Sequence, residues 1–369
     1  MEILVIGGTG PSGPLIVNGL VERGHAVTIL HTGRHEVDTL PPQSVVPHIH
    51  ADPFDEASFR EGLGTRNFDV VFAMYGRLRM ITEVLVGRTP RVFSIGGIPV
   101  YPGFGNAGDC FPAGMQIPSY EANAAAGPEV TQKIRRIYES EQQTFERHPD
   151  ATHFRYPYIY GPNQVIPREW PIVRRALDRR PYLIVAEGGL TLFSHAFVEN
   201  AAHAVLLAVD QIDRSAGRAY NVTDDYQFTL AQVAEVIMDE TGHRMELVSM
   251  PYEVARSTRG TVQNNTAHHR VVDAGLIRSE LGYRDLVDPL EGLRRTIRWQ
   301  IAHLAADSSA VDRVIEDPYD YAAEDRLVQL YRQFTAAAAA VPFSSEPGYT
   351  SGYYGPATNP AGERRSMRG

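Results

Sequence analysis

Cysteine and lysine are nearly absent from this chain of 369 residues. The single cysteine, Cys110, excludes an intrachain disulfide and a cluster of thiolate metal ligands. Lys133 is the only lysine, arginine having replaced it everywhere else, and the formal charge is −9. That balance argues against a general nucleic-acid binder. No apolar run reaches the length needed to cross a bilayer, so no membrane partner is expected. The first residues read as a strand with no basic segment ahead of an apolar one, so no signal peptide is expected and the cytoplasm is the expected compartment. His48 and His50 alternate along a strand and share a face, but no further ligand cluster accompanies them, and no metal is expected.

What is present begins at the first residue. MEILVIGGTGPSG is a short branched apolar run ending in glycines at positions 7, 10 and 13. Ile3 to Ile6 is too short for a helix and reads as a strand buried on both faces, as parallel sheets require. Gly7 permits the tight turn, Gly10 lets backbone N–H groups approach a pyrophosphate, and Gly13 lets the next helix pack closely. Thr9, Pro11 and Ser12 complete the loop, and the helix from about Pro14 to Arg23 points its N-terminus at the phosphates. The 43% hydrophobic and 21% charged fractions are those of a globular chain.

Strands at 26–30, 45–50, 69–73 and 91–94 alternate with helices at 56–63 and 81–86, which predicts an α/β fold with a doubly wound parallel sheet. The second strand ends in His31, Thr32, Gly33 and Arg34, where an acid would bind the adenosine 2′-hydroxyl. No acid stands there, and the donors favour NADP, with NAD the alternative. Asp52, at the end of the third strand, is placed to accept from an adenine amino group. From Pro99 to Gly127 the chain is rich in glycine and proline, which predicts a substrate-side cover loop. A helix over 128–147 and a strand over 152–160 follow. The segment 167–180 reads as an amphipathic helix whose arginines either grip a phosphate or face water, and 229–242 as a helix with Thr229 as its N-cap. His268-His269-Arg270 reads as a polar surface turn or an anion contact.

Taken together, the glycine loop, Asp52, Arg155 to Pro162, Ser194 to Ala202 and Tyr220-Asn221-Val222 resemble the extended short-chain dehydrogenase/reductase superfamily, the nucleotide-sugar epimerases and dehydratases. The similarity covers roughly 1–302. Tyr158 through Glu169-Trp170 to His195 is most similar to an atypical branch that includes chloroplast stem-loop RNA-binding proteins. The resemblance implies a Rossmann-like domain (1–165 and 193–224) that binds NAD(P), with Ser94, Tyr156, Pro157 and Tyr158 along its cofactor, and a substrate domain (166–192 and 225–302). A helical extension (303–341) that packs on the body or on a second subunit and a flexible tail (342–369) are expected beyond it.

The resemblance also implies a Ser/Thr, Tyr and Lys triad, and the chain departs from it. The hydroxyl position falls on Gly97, and Ser94 lies too early. Anchored on Glu141 and Arg155, the tyrosine falls on Lys133 and the lysine on Ile137; with a one-turn shift Lys133 becomes the lysine and Glu129 replaces the tyrosine. Tyr75, Lys133 and Tyr101 are therefore the candidate proton donors. The expected function is an NADP-preferring oxidoreductase acting on a small or medium carbonyl, alcohol or polarised alkene. A cofactor-retaining epimerase or dehydratase and a non-catalytic nucleotide-sensing or RNA-binding protein are the alternatives.

Overall fold

Ile3, Leu4, Val5 and Ile6 are wholly buried, as a strand covered on both faces must be. They form β1 (Glu2–Ile6), an interior strand of a seven-stranded parallel sheet. The computed structural model describes residues 1–34, 38–74, 77–123, 132–259 and 267–345. After β1 come α1 (Gly13–Glu22), β2 (Ala26–His31), β3 (His48–His50), α2 (Glu56–Leu63), β4 (Val70–Ala73), α3 (Leu78–Val84), β5 (Arg91–Gly97), α4 (Gln132–Arg147) and β6 (Thr152–Tyr156). Then follow β7 (Tyr158–Tyr160), α5 (Trp170–Leu177), β8 (Tyr182–Ala186), β9 (His195–Phe197), α6 (Val198–Asp210) and β10 (Arg218–Asn221). The remaining elements are α7 (Leu230–Thr241), β11 (Glu246–Met250), α8 (Gly275–Leu281), α9 (Pro289–Leu304), α10 (Ser309–Ile315) and α11 (Tyr321–Ala339).

The sheet order is β10-β6-β5-β4-β1-β2-β3. The chain winds outward from β1 to β3 and returns to β4, so the strand order reverses between β1 and β4. That switch point opens a crevice at the carboxyl ends of these strands, where doubly wound folds bind ligands. The pleat assigns Ile3 and Val5 to the core under α1 and α6, and Leu4 and Ile6 to the core under α2 and α3. A second core, built on Trp170, Ile172 and Val173 of α5, Leu183 and Val185 of β8, Ile237 of α7 and Ile297 of α9, lies apart from both.

The expected single strand over 152–160 is two. β6 pairs with β5 and β10, whereas β7 leaves the sheet and pairs with β9. Pro157 stands at the break, where its missing N–H costs no ladder bond. The strands β8 and β11 pair in parallel and were not foreseen. The helix expected over 167–180 is shorter, and its arginines divide between burial and the surface, where Arg179 is exposed. Arg175 is buried in a bidentate pair with Asp317, at 2.7 and 3.2 Å, and Arg174 pairs with Asp178. Thr229 caps α7 in a reciprocal capping box with Gln232.

Met1–Tyr319 forms one compact unit, and Asp320 onward forms another. In the second, the Asp320 carboxylate accepts from Ala323 N at 3.0 Å and caps α11. That helix starts at Tyr321 and runs to Ala339, inside the segment read from the sequence as a helical extension. Residues 342–345 carry no regular structure, and the rest of the expected tail lies outside the described residues. No described helix is long and apolar enough to cross a membrane.

Candidate functional site

The glycine loop has the geometry its spacing predicts. Gly7 and Gly8 adopt φ of 108° and 80°, a region that side chains disfavour. A Cβ on Gly13 would lie 2.4 Å from the carbonyl carbon of Gly8, so α1 can sit this close only with glycine there. A Cβ on Gly10 would meet nothing within 4 Å, and Gly10 is exposed. The space above Gly10 is therefore open at the start of a helix, as the approach of a pyrophosphate to the backbone requires. Thr9 and Pro11 are half-buried beside it, Ser12 is buried, and the Tyr156 hydroxyl donates to Ala201 O at 3.1 Å. Burial pushes the Tyr156 hydroxyl well above its ordinary value, so it acts as a hydrogen-bonding wall and stays protonated.

A cleft of about 1200 Å³ opens between α3, α4 and the carboxyl ends of β5 and β6. Gly96, Gly97, Pro99, Ile137, Tyr156 and Pro157 line it. The two positions on which the hydroxyl and the lysine of the triad fall, Gly97 and Ile137, thus face the cleft without a titratable group. Of the three candidate proton donors, Tyr75 lies outside the described residues. Lys133 belongs to the first turn of α4, and its side chain lies outside the description as well.

Tyr101 is described, and its hydroxyl is already used. It donates to Asn221 Oδ1 at 2.6 Å and accepts from Arg155 Nη1 at 3.0 Å, fully buried. Burial raises it to about 12, despite the nearby guanidinium. A hydroxyl enclosed in this way holds a strand end together and cannot reach a substrate, which corrects its expected catalytic role. Ser94 is spent likewise: it is buried on β5 and bonded to His153 Nδ1 at 2.7 Å. His153 leads on to Glu141 at 3.4 Å, and Glu141 holds Arg155 by two bonds of 2.6 and 2.9 Å.

At the adenosine end, Asp52 Oδ1 accepts from Phe54 N at 2.9 Å in a local turn, and the residue remains half-buried. Arg34 is exposed, Thr32 Oγ1 accepts from its N–H at 3.4 Å, and the His31 ring is turned onto His48 and His50. The tip offers a guanidinium and a hydroxyl to whatever sits against it, with no carboxylate among its described residues.

On the side of the second core, Tyr158 does not present its hydroxyl to a cofactor: it donates to Ile166 O at 2.5 Å and accepts from Arg168 N at 2.8 Å. The Arg168 guanidinium lies 3.9 Å from the centre of the Tyr158 ring and forms no ion pair with a carboxylate among the described residues. Its Nε is buried without a hydrogen-bond partner. Phe193, His195 and Thr191 share a small cavity with it. Arg270, expected on a surface turn, is wholly buried between the rings of Phe104 and Phe193, because residue 270 bridges in parallel to Phe193. Burial, aided by Arg168, lowers it to about 10. Neither arginine stood out in the sequence, because burial brought about by distant parts of the chain leaves no local pattern.

Two buried imidazoles set an acid limit on the fold. Burial holds His153 at about 4 against the pull of Glu141, and burial with the Arg168 charge holds His195 at about 4. Both lie below the unfolded value of about 6.5, so their stabilising effect is complete above that pH and is lost as pH falls toward 4. The loss amounts to about 3 kcal/mol for each. Thermal melts from pH 7 to 4 should show a steep fall in Tm, made shallower by His153→Asn; an unchanged slope in that variant would contradict the assignment.

The fold is that of the extended short-chain dehydrogenases, the NAD-dependent epimerases and dehydratases. An epimerase from Methanothermobacter thermautotrophicus superposes with a TM-score of 0.65 at 18% identity, covering 82% of this chain and 93% of that one. A dTDP-glucose 4,6-dehydratase from Bacillus anthracis, in complex with NAD, gives 0.63 at 14%, covering 84% and 99%. In sequence the chain is 26% identical over 166 residues to the protein YbjS of Escherichia coli, covering 39% of this chain and 48% of that one. It is 24% identical over 246 residues to the chloroplast stem-loop binding protein of 41 kDa b of Arabidopsis thaliana, covering 63% and 61%. The chain thus spans 48% and 61% of the length of these curated relatives. No family model matches it.

Proposed function

We propose that this protein holds a nicotinamide dinucleotide, NADP in preference to NAD, and oxidises or reduces a small or medium organic substrate carrying an anionic group. The observation that carries the reading is the open space above Gly10, continuous in sequence with a helix start that only Gly13 allows. Gly7 to Gly13 would hold the pyrophosphate, Thr32 and Arg34 the adenosine end, and Tyr156 and Pro157 would wall the nicotinamide end. Bound there, the cofactor would supply a hydride acceptor or donor. The chain has to supply a proton, and Gly97 and Ile137 cannot. We assign that role to Tyr75 at the end of β4 or to Lys133 on α4, the two candidates whose place in the topology suits it. Arg168 and Arg270, cations in a partly desolvated setting, supply the attraction for an anionic substrate.

A second reading, a cofactor-retaining epimerase or dehydratase, is favoured by the likeness in fold to enzymes of those two kinds. One experiment separates the two. Purified protein is titrated with NADPH and NADH, then denatured and assayed for released nucleotide. The first reading expects exchangeable binding, NADPH tighter by at least about tenfold, a preference of about 1.4 kcal/mol that Arg34→Ala abolishes. Release of a full equivalent of nucleotide only on denaturation selects the second reading. Failure to bind either nucleotide, with none retained, would sink both.

A further inference from the structure

Three histidines from two neighbouring strands converge at the outer edge of the sheet. β2 and β3 pair in parallel with Ile29 opposite His48 and His31 opposite His50. His48 and His50 alternate along β3, and His31 stands beside His50, so all three rings leave the same face. Their centroids lie 4.9, 5.1 and 6.2 Å apart. One ring nitrogen from each lies within 4.8 Å of the other two, and His31 Nε2 stands 3.1 Å from His48 Nδ1. Two nitrogens bound to the same ion at about 2.0–2.1 Å are separated by about 3 Å, so this pair already has the spacing of adjacent ligands.

We propose that His31, His48 and His50 form a binding site for a divalent transition-metal ion, Zn(II) or its neighbours Co(II) and Ni(II). Imidazole nitrogen suits these ions, and the trio contains no carboxylate that would favour Mg(II) or Ca(II). His31 is buried, His48 half-buried and His50 exposed, a gradient that leaves the remaining coordination position toward solvent. The sequence shows only the β3 pair; the third ligand is supplied by strand register.

Binding replaces contacts that exist. The His31 Nε2 to His48 Nδ1 hydrogen bond gives way to two metal bonds. Gly33 N lies 3.2 Å from His31 Nδ1, and this nitrogen takes up the ring proton once Nε2 faces the ion. The Gly33 N–H must then turn aside, at a residue whose φ of 73° already lies in the glycine region. The ion thus fastens a three-residue edge strand to β2 and shifts the turn that carries Thr32 and Arg34.

The test uses the tag-free full chain, stripped of metal by a chelator and titrated with Co(II) and Zn(II). Calorimetry, the ligand-field absorption of Co(II) and thermal melts with and without Zn(II) are the readouts. One equivalent should bind, with a rise in Tm, and His48→Ala or His50→Ala should each weaken binding by about tenfold or more. His303→Ala, on α9, should leave it unchanged. His50 is exposed, so its variant is expected to fold, and the metal-free melt verifies this; His50→Gln gives a second, closer replacement. Absence of stoichiometric binding to the wild type, or equal binding by the His48 and His50 variants, overturns the proposal.

Discussion

Gly13→Ala is expected to abolish nucleotide binding and to lower stability together, whereas Gly10→Ala should remove binding alone. At Gly13 the new Cβ meets the backbone of Gly8 at 2.4, 2.5 and 2.7 Å, and backbone cannot move aside as the end of a side chain can. Either α1 shifts or the loop opens. Overpacking of this kind costs about 1–3 kcal/mol or more, and it displaces the N–H groups aimed at the phosphates. At Gly10 the protein has room, so the Tm should hold, but the methyl group occupies the open space. A loss of at least about tenfold in NADPH affinity is expected there, about 1.4 kcal/mol. Fluorescence titration and thermal melts on both variants check the contrast. Full nucleotide affinity in Gly10→Ala would remove that assignment, and an unchanged Tm in Gly13→Ala would contradict the packing.

The second large effect lies in the buried network behind the cleft. Glu141→Ala leaves the Arg155 guanidinium, only 4% exposed, without its carboxylate. Burial pushes Glu141 up, but the Arg155 hydrogen bonds and the nearby His153 outweigh it and hold the group below its ordinary range. Removing one partner of a buried pair costs about 3–5 kcal/mol, because the other charge stays buried. A fall in Tm on the order of 10 °C follows for a chain of this size. The double variant Glu141→Leu with Arg155→Met should recover much of that loss, since apolar groups of similar volume replace such pairs at little cost. Additive losses in the double-mutant cycle would show that the two side chains act independently.

How far the sequence reached depended on the range of the interaction. The glycine loop was legible because its constraints are local: a turn, an open space and a close approach within seven residues. The helix cap at Thr229 was legible for the same reason. Tyr101 was a reasonable candidate from its position, but its partners Asn221 and Arg155 lie 120 and 54 residues away. Arg270 looked like part of a surface turn because its burial depends on a bridge to Phe193 and on the Phe104 ring. The His31 contribution to the histidine trio, likewise, exists only through the register of β2 against β3.

The break at Pro157 carries a mechanical consequence. Phe154 and Tyr156 belong to the core of the main sheet, and Tyr160 belongs to the second core, so one extended segment is anchored in both. The proline ring fixes φ at about −65° at the single residue between β6 and β7. Rotation there is left to the ψ angles of Tyr156 and Pro157. Any widening of the cleft wall at this point is therefore a bend about a joint with one of its axes locked, beside a Tyr156 hydroxyl that is tied to Ala201 O of α6.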